Sequence, residues 1–139
     1  MKIIYESKID QKQYINILHC SQNFFGEARH DHVIVHTTAG GFFAKLLLIF
    51  TISVANTLYS VCLVQPLDAP TGPPNAKDRD LALHRVRACQ NVTEFVFVRT
   101  LIRGAPLVQD FEKAGDFLVM DVADHTGDLF ICCHEIFTM

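Results

Sequence analysis

Leu46–Val64, LLLIFTISVANTLYSVCLV, is a stretch of nineteen residues without a charged side chain. Its length approaches that of a membrane-spanning helix. Asn56 lies at its centre, however, and hydroxyl residues recur along it, namely Thr51, Ser53, Thr57 and Ser60. Its β-branched and aromatic residues favour strands. We therefore predict two buried strands that turn near Ala55–Thr57, and the alternative of a membrane helix over residues 46–64 stays open.

Short apolar runs flank this stretch on both sides, separated by Gly, Pro, Asn or Asp. On the N-terminal side they are Lys2–Lys8, Tyr14–Cys20 and His32–Thr37, with Ser21–Glu27 as a loop and Ala39–Gly41 as a hairpin turn. On the C-terminal side they are Leu83–Cys89, Glu94–Leu101, Asp116–Asp124 and Asp128–Ile136, the last two paired across a polar turn. This spacing predicts an all-β fold, a small single-domain barrel or sandwich of seven to nine short strands.

Gln65–Asp80 interrupts the strand pattern. It holds Pro66, Pro70, Pro73 and Pro74 together with Gly72. Because proline removes a backbone donor and restricts φ, we predict a long Pro/Gly-rich loop over residues 65–80. Neither flank is a complete β domain, so residues 1–139 are expected to form one β-rich domain.

Composition limits the kind of partner. Half of the residues are apolar, which excludes a disordered chain, and the net charge of −3 is too small to indicate a polyanionic partner for the molecule as a whole. The charges are unevenly distributed, however. Residues 77–103 carry six basic against three acidic residues, and residues 104–139 carry one lysine against seven acidic residues. The basic and acidic parts either form a binding face or pair with each other across the sheet.

The five cysteines are odd in number and irregularly spaced: Cys20, Cys62, Cys89, Cys132 and Cys133. Met1–Lys8 lacks the apolar core of a signal peptide. We therefore expect free thiols in a reducing compartment, with an intracellular protein of the nucleus or cytoplasm.

The sequence contains parts of possible metal-binding and catalytic sites, but none of these sites is complete. His30, His32 and His36 supply ligand atoms on one strand, with Cys132 or His134 as partners, but the spacing matches no zinc module. His19-Cys20 and Cys133-His134 are adjacent pairs, which a strand points to opposite faces. Asp124 and Asp128 flank a turn, where aspartate bonds its own backbone. We predict no catalytic residue, no metal site and no cofactor.

The best specific candidate is a basic strip formed by Lys77, Arg79, Arg85 and Arg87. Arg85 and Arg87 alternate along a strand, so they share one of its faces. With Phe95 and Phe97 nearby, such a strip is able to follow a phosphate backbone and stack bases. The alternative is a solvated face that pairs with the acidic C-terminal strands.

A series of motifs in order resembles a known family. They are Cys62–Arg87 (CLVQPLDAPTGPPNAKDRDLALHRVR), Glu94-Phe95, Leu101–Ala105 (LIRGA), Asp110-Phe111 and Phe117–Asp124 (FLVMDVAD), preceded by Leu18–Phe25 and Phe42–Phe50. This series resembles the C-terminal region of transposon-derived open reading frames of mushroom-forming fungi, of the Plavaka and Kyakuja-Dileera-Zisupton type. The resemblance extends from about Tyr5 to Phe130.

The resemblance implies a β-rich accessory module. In those proteins the region follows the transposase core, whose catalytic acidic residues lie upstream. This chain departs from the family at Pro73–Ala76, where a basic run is expected, and at His30 and His32, where an aromatic residue and a cysteine are expected.

Together these observations predict a non-enzymatic interaction module derived from a fungal transposon protein, which binds nucleic acid or a chromatin-associated protein. The alternatives are a functionless remnant of a transposon and a protein inserted in a membrane through residues 46–64.

Overall fold

The computed structural model describes residues 1–70, 73–81, 83–120 and 128–137. These residues form twelve strands, two α-helices and one turn of 3-10 helix. The strands are β1 (Lys2–Glu6), β2 (Gln13–Ile17), β3 (Cys20–Phe24), β4 (Glu27–His30), β5 (His32–Thr37), β6 (Gly40–Val54), β7 (Thr57–Asp68), β8 (Arg85–Ala88), β9 (Glu94–Phe97), β10 (Leu101–Gly104), β11 (Leu107–Gln109) and β12 (Asp116–Val119). The helices are α1 (Ala76–Asp80) and α2 (Asp128–Phe137), and the 3-10 turn is Val98–Thr100.

Eight strands form one antiparallel sheet. Seven of them follow the order β10-β5-β6-β7-β8-β12-β11, and β9 pairs with β7. The hairpins β1–β2 and β3–β4 are separate two-stranded sheets. Strands make up 57% of the structure, so the predicted all-β fold is confirmed.

The large sheet does not close into a barrel. Its end strands, β10 and β11, are joined through Ala105 and Pro106 rather than by a hydrogen-bonded ladder. Pro106 has no N–H to donate, which favours a break in pairing at this point. The predicted number of seven to nine strands is too low, partly because Ser21–Glu27, predicted as a loop, contributes to the β3–β4 hairpin.

The uncharged stretch Leu46–Val64 forms the outer part of the β6–β7 hairpin. Its register ends with Val54 opposite Thr57. Between them Ala55 and Asn56 have φ values of 50° and 63°, the left-handed conformation that both central residues of a type I′ hairpin turn require. The predicted turn is confirmed. The predicted burial of both strands is wrong for residues 51–60, which are largely exposed.

Two hydrophobic cores lie on opposite faces of the large sheet. Alternate residues of β5 point to different cores, Val33 and Val35 to the first and Ile34 to the second. Core 1 contains Ile3, Leu18, Val33, Val35, Ala44, Leu46, Cys62, Val64, Val96 and Leu101. Core 2 contains Ile34, Phe43, Leu67, Val86, Ala105, Val119, Leu129 and Cys132. The β1–β2 segment covers core 1, and α2 covers core 2.

Helix α2 replaces a predicted strand, Asp128–Ile136. Leu129, Cys132 and Ile136 pack on core 2, and their spacing of three and four residues places them on one side of a helix. The apolar composition favours a strand, and packing against the sheet outweighs that preference. Of the helices that the structure describes, none has both the length and the apolar character needed to cross a membrane. Most of the predicted turn before α2, at residues 121–127, lies outside the described residues.

The predicted loop at residues 65–80 is also partly wrong, because β7 continues to Asp68 and α1 occupies Ala76–Asp80. Pro66 is tolerated in β7, where its carbonyl oxygen accepts a hydrogen bond from the Cys89 amide at 2.9 Å. Asn75 caps α1 by accepting a hydrogen bond from the Asp78 amide at 2.7 Å. Residues 71 and 72 lie outside the described part.

A buried ion pair joins β10 to α2. Arg103 Nη1 donates to Asp128 Oδ2 at 2.8 Å, and both side chains are almost fully buried. The Lys8 amide donates to the other oxygen of Asp128 at 2.7 Å. The guanidinium of Arg103 lies over the Tyr5 ring, 4.5 Å from its centroid. The pair therefore connects the N-terminal segment, the large sheet and α2.

We expect Asp128→Ala to lower the free energy of unfolding by about 3–5 kcal/mol, because it leaves Arg103 buried without this carboxylate. Urea denaturation at pH 7 measures the change. Glu135→Ala is the control, since it removes the exposed Lys8–Glu135 ion pair of the same helix, a kind of pair worth about 1 kcal/mol or less. Equal losses in the two variants would contradict the role given to the buried pair.

Candidate functional site

Arg85, one of the four predicted nucleic-acid-binding residues, lies in a cluster of carboxylates. Its Nε and Nη2 donate to the two oxygens of Asp78 at 2.7 and 3.1 Å. Its Nη1 donates to Asp110 at 2.5 Å and to Asp116 at 3.2 Å. Asp78 and Asp116 are buried. The donor groups of Arg85 are therefore occupied by carboxylates of the protein itself.

Arg87 belongs to the same cluster. Its Nε and Nη2 donate to the two oxygens of Asp116 at 2.6 and 3.2 Å, and Lys113 Nζ lies 3.8 Å from Asp116 Oδ2. Hydrogen bonds from Arg87 and then Arg85 hold the pKa of Asp116 below its usual value. Arg85 lowers the pKa of Asp78 and Asp110 in the same way. Three cations thus face three carboxylates, which leaves little net charge to attract phosphate.

Lys77 and Arg79, the other two predicted residues, are exposed on α1. They flank Asp78, whose carboxylate points to Arg85. The structure therefore brings Arg85 and Arg87 together in an ion-paired cluster and places Lys77 and Arg79 on the helix beside it.

The arginines and the phenylalanines predicted to stack bases lie on opposite faces of the sheet. Phe95 pairs with Leu63 of β7, whereas Arg87 pairs with Asp68 of the same strand. Directly paired residues share a face, and residues an odd number of positions apart along a strand point to opposite faces. The sheet therefore separates the charged half of the predicted nucleic-acid surface from its aromatic half.

The face that carries Phe95 and Phe97 is apolar from Leu48 to Val54 of β6, from Tyr59 to Leu63 of β7 and in β9. Thr57, opposite Val54, and Lys45, opposite Gln65, border it. The register places Phe50 opposite Val61, and Val61 opposite Phe97. We name the residues of this face the apolar face: Leu48, Phe50, Ile52, Val54, Tyr59, Val61, Leu63, Phe95 and Phe97. Five of them are exposed, namely Leu48, Ile52, Val54, Phe95 and Phe97. A contiguous exposed set of this kind is typical of an interaction surface.

Ring contacts order the centre of the apolar face. Phe50 and Phe95 meet edge to face with centroids 5.9 Å apart, and Tyr59 and Phe97 are tilted at the same distance. The Arg99 guanidinium lies 4.6 Å from the centroid of Phe97. A shallow groove of about 370 Å³ runs between Phe50, Phe95 and their neighbours. The aromatic side chains therefore hold one another in place without a partner.

The opposite face of the hairpin end is mostly polar. Thr51, Ser53 and Ser60 point away from the apolar face, together with Leu58. This alternation of apolar and hydroxyl residues is typical of a strand with one face buried and one face in water. The same alternation is visible in the sequence from Phe50 to Val54.

A β-bulge in β6 is the reason why Leu48, Phe50 and Ile52 lie on the apolar face. The register changes between Leu46 opposite Val64 and Leu48 opposite Leu63, so Leu47 is the additional residue. Leu46 points into core 1, and without the bulge Leu48 would follow it. The bulge instead directs Leu48 and the alternate residues after it to the apolar face, on the side of the sheet opposite core 1.

The histidines and cysteines whose side chains the structure describes form no comparable site. His30 Nδ1 lies 3.1 Å from the carbonyl oxygen of Leu46. Burial lowers the pKa of His32 to about 4 and raises the pKa of both Cys62 and Cys132 to about 11, which opposes thiolate formation. Among the residues that the structure describes, no group of three or more His, Cys, Asp or Glu is arranged to hold a metal ion.

Comparison of the chain with protein-family models, with curated proteins and with solved structures finds no match. The resemblance to fungal transposon proteins therefore stays a prediction.

The carboxylate cluster predicts a pH dependence of stability. The folded pKa values of Asp78, Asp110 and Asp116 are lowered, so their stabilisation is present above the unfolded value of about 4 and is lost as pH falls through the folded values. Arg85→Met should therefore reduce stability most near pH 7, and the difference from wild type should shrink below about pH 4.

Urea denaturation at several pH values between 7 and 3 measures this difference. Arg79→Met is the control, because Arg79 is exposed on α1 outside the contacts of the cluster described above. A difference between wild type and Arg85→Met that stays constant down to pH 3 would show that the carboxylates do not supply it.

Proposed function

We propose that the chain is a non-enzymatic protein-interaction module that binds its partner through the apolar face. The observation that supports this most is the exposed, uncharged sheet face formed by β6, β7 and β9. Residues 46–64 contribute most of it and carry no charge. A partner surface that buries this face has to be uncharged and apolar as well, because a charge buried against it would lose its hydration without compensation.

Nucleic acid fits this face less well than protein does. Binding to a phosphate backbone depends on lysine and arginine contacts. The apolar face has Arg99 beside Phe97, whereas Arg85 and Arg87 lie across the sheet and are ion-paired. The rings that would stack bases are therefore separated from the cations that would hold the strand.

The ion pairing of the clustered carboxylates supports a non-enzymatic role. Asp78, Asp110 and Asp116 are ion-paired with arginines, and such carboxylates remain ionised and are poor proton donors. An accessory role of this kind also fits the predicted descent from a fungal transposon protein, in which catalysis belongs to another region. In this proposal the chain holds a second protein in place.

Site-specific photocrosslinking tests the proposal. A benzophenone side chain at Phe95 lies on the apolar face, and one at Thr51 lies on the polar face of the same hairpin and is the matched control. In cells of the source organism we expect position 95, and not position 51, to give a discrete crosslinked protein, identified by mass spectrometry. An equal set of adducts from both positions, or none from position 95, would contradict the proposal.

An electrophoretic mobility shift with random single-stranded DNA and RNA separates protein from nucleic acid as the partner. We expect no retardation of either at low salt. Salt-sensitive retardation that Arg85→Met and Arg87→Met abolish would instead support the basic strip and require the ion-paired cluster to open. Lys77→Ala with Arg79→Ala provides the comparison for the two exposed cations.

A further inference from the structure

We infer that the occupant of the apolar face is a second copy of this chain, so that two β6–β7–β9 surfaces pack face to face about a two-fold axis. This inference rests on the proposed function and names the partner at the same site. In a two-fold interface each patch meets itself, so it has to be compatible with its own copy.

The apolar face meets this requirement because its own residues are uncharged. A patch with a net charge repels its own copy, whereas residues 46–64 carry none. In β9, Phe95 and Phe97 lie on the apolar face, while Glu94 pairs with Val64, which points into core 1 on the other side of the sheet. Two copies can therefore meet over the residues of the apolar face without placing like charges opposite each other, because the two nearest cations, Arg99 beside Phe97 and Lys45 opposite Gln65, lie at its border.

The area reaches the lower limit for a specific dimer. The exposed fractions are 50% for Leu48, 38% for Ile52, 54% for Val54, 69% for Phe95 and 40% for Phe97. At about 200 Å² for each large apolar residue, these side chains offer roughly 500 Å² per copy. Burial on both copies removes about 1,000 Å², which is where specific protein interfaces begin.

The shape of the surface also fits sheet-on-sheet packing. Two twisted sheets pack about 10 Å apart with their strands about 30° from alignment, and side chains of the two inner faces interdigitate. Phe95 is the most exposed member of the face, and on this arrangement it enters the row formed by Phe50 and Ile52 of the other copy. The polar side of each hairpin, with Thr51 and Ser53, then remains in water.

Sedimentation equilibrium of the purified full chain from about 1 to 100 µM tests the inference, since an interface at the small end of the size range is expected to have a Kd of about 1 µM or weaker. We expect a reversible monomer–dimer equilibrium. Ile52→Lys, on the apolar face, should weaken dimerisation roughly a hundredfold or more, because the lysine becomes buried without a partner. Phe95→Lys should do the same from another strand.

Thr51→Lys is the matched control, one residue away on the polar face, and it should dimerise like the wild-type chain. Circular dichroism and thermal melting confirm that each variant is folded. A wild-type chain that stays monomeric to 100 µM, a dimer that survives in Ile52→Lys, or open-ended aggregation without a discrete dimer would overturn the inference.

The outcome also separates this inference from the proposed function. A monomeric wild-type chain that still crosslinks to another protein from position 95 would reject the second copy and keep the interaction module. Flotation of a monomeric chain with neutral phosphatidylcholine vesicles, lost in Ile52→Lys, would assign the face to a lipid surface and reject both.

Discussion

The ladder between β6 and β7 is the constraint on which the rest of the structure depends. Ala44 and Leu46 of β6 point into core 1, whereas Phe43 points into core 2. Because side chains alternate along a strand, a shift of the register by one residue would exchange these sets, so that neither core would pack. The turn at Ala55 and Asn56 and the bulge at Leu47 together determine this register, and the other strands of the large sheet are added outward from the hairpin.

The sequence allowed the all-β fold and the central hairpin to be predicted, because the signals for both are local. A turn centred on Asn56 and a glycine-containing turn before β6 are visible within a few residues. Runs of β-branched and aromatic residues mark most strands in the same way. None of these signals depends on which strand lies beside which.

The remaining features depend on contacts between distant parts of the chain. Core 2 is what makes residues 128–137 a helix, and the carboxylates that pair with Arg85 come from α1 and from the segments around β12. The bulge at Leu47 determines which face Phe50 and Ile52 occupy, and an apolar run of leucines contains no local sign of it. The candidate site was therefore not predicted, although all of its residues except Phe95 and Phe97 lie between Leu46 and Val64.

The connection of β10 to β11 through Ala105 and Pro106 has a consequence for folding. β10 pairs with β5, far earlier in the chain, and β11 pairs with β12, the last described strand. The pairing of β10 with β5 therefore requires a large loop to close. The β11–β12 hairpin is local, but it joins the sheet only when β12 pairs with the more distant β8. Such non-local pairings slow folding relative to a helical chain of this size. The β6–β7 hairpin requires only local closure, a matter of microseconds, so it precedes them and exposes its aromatic rows while the edges are still unformed.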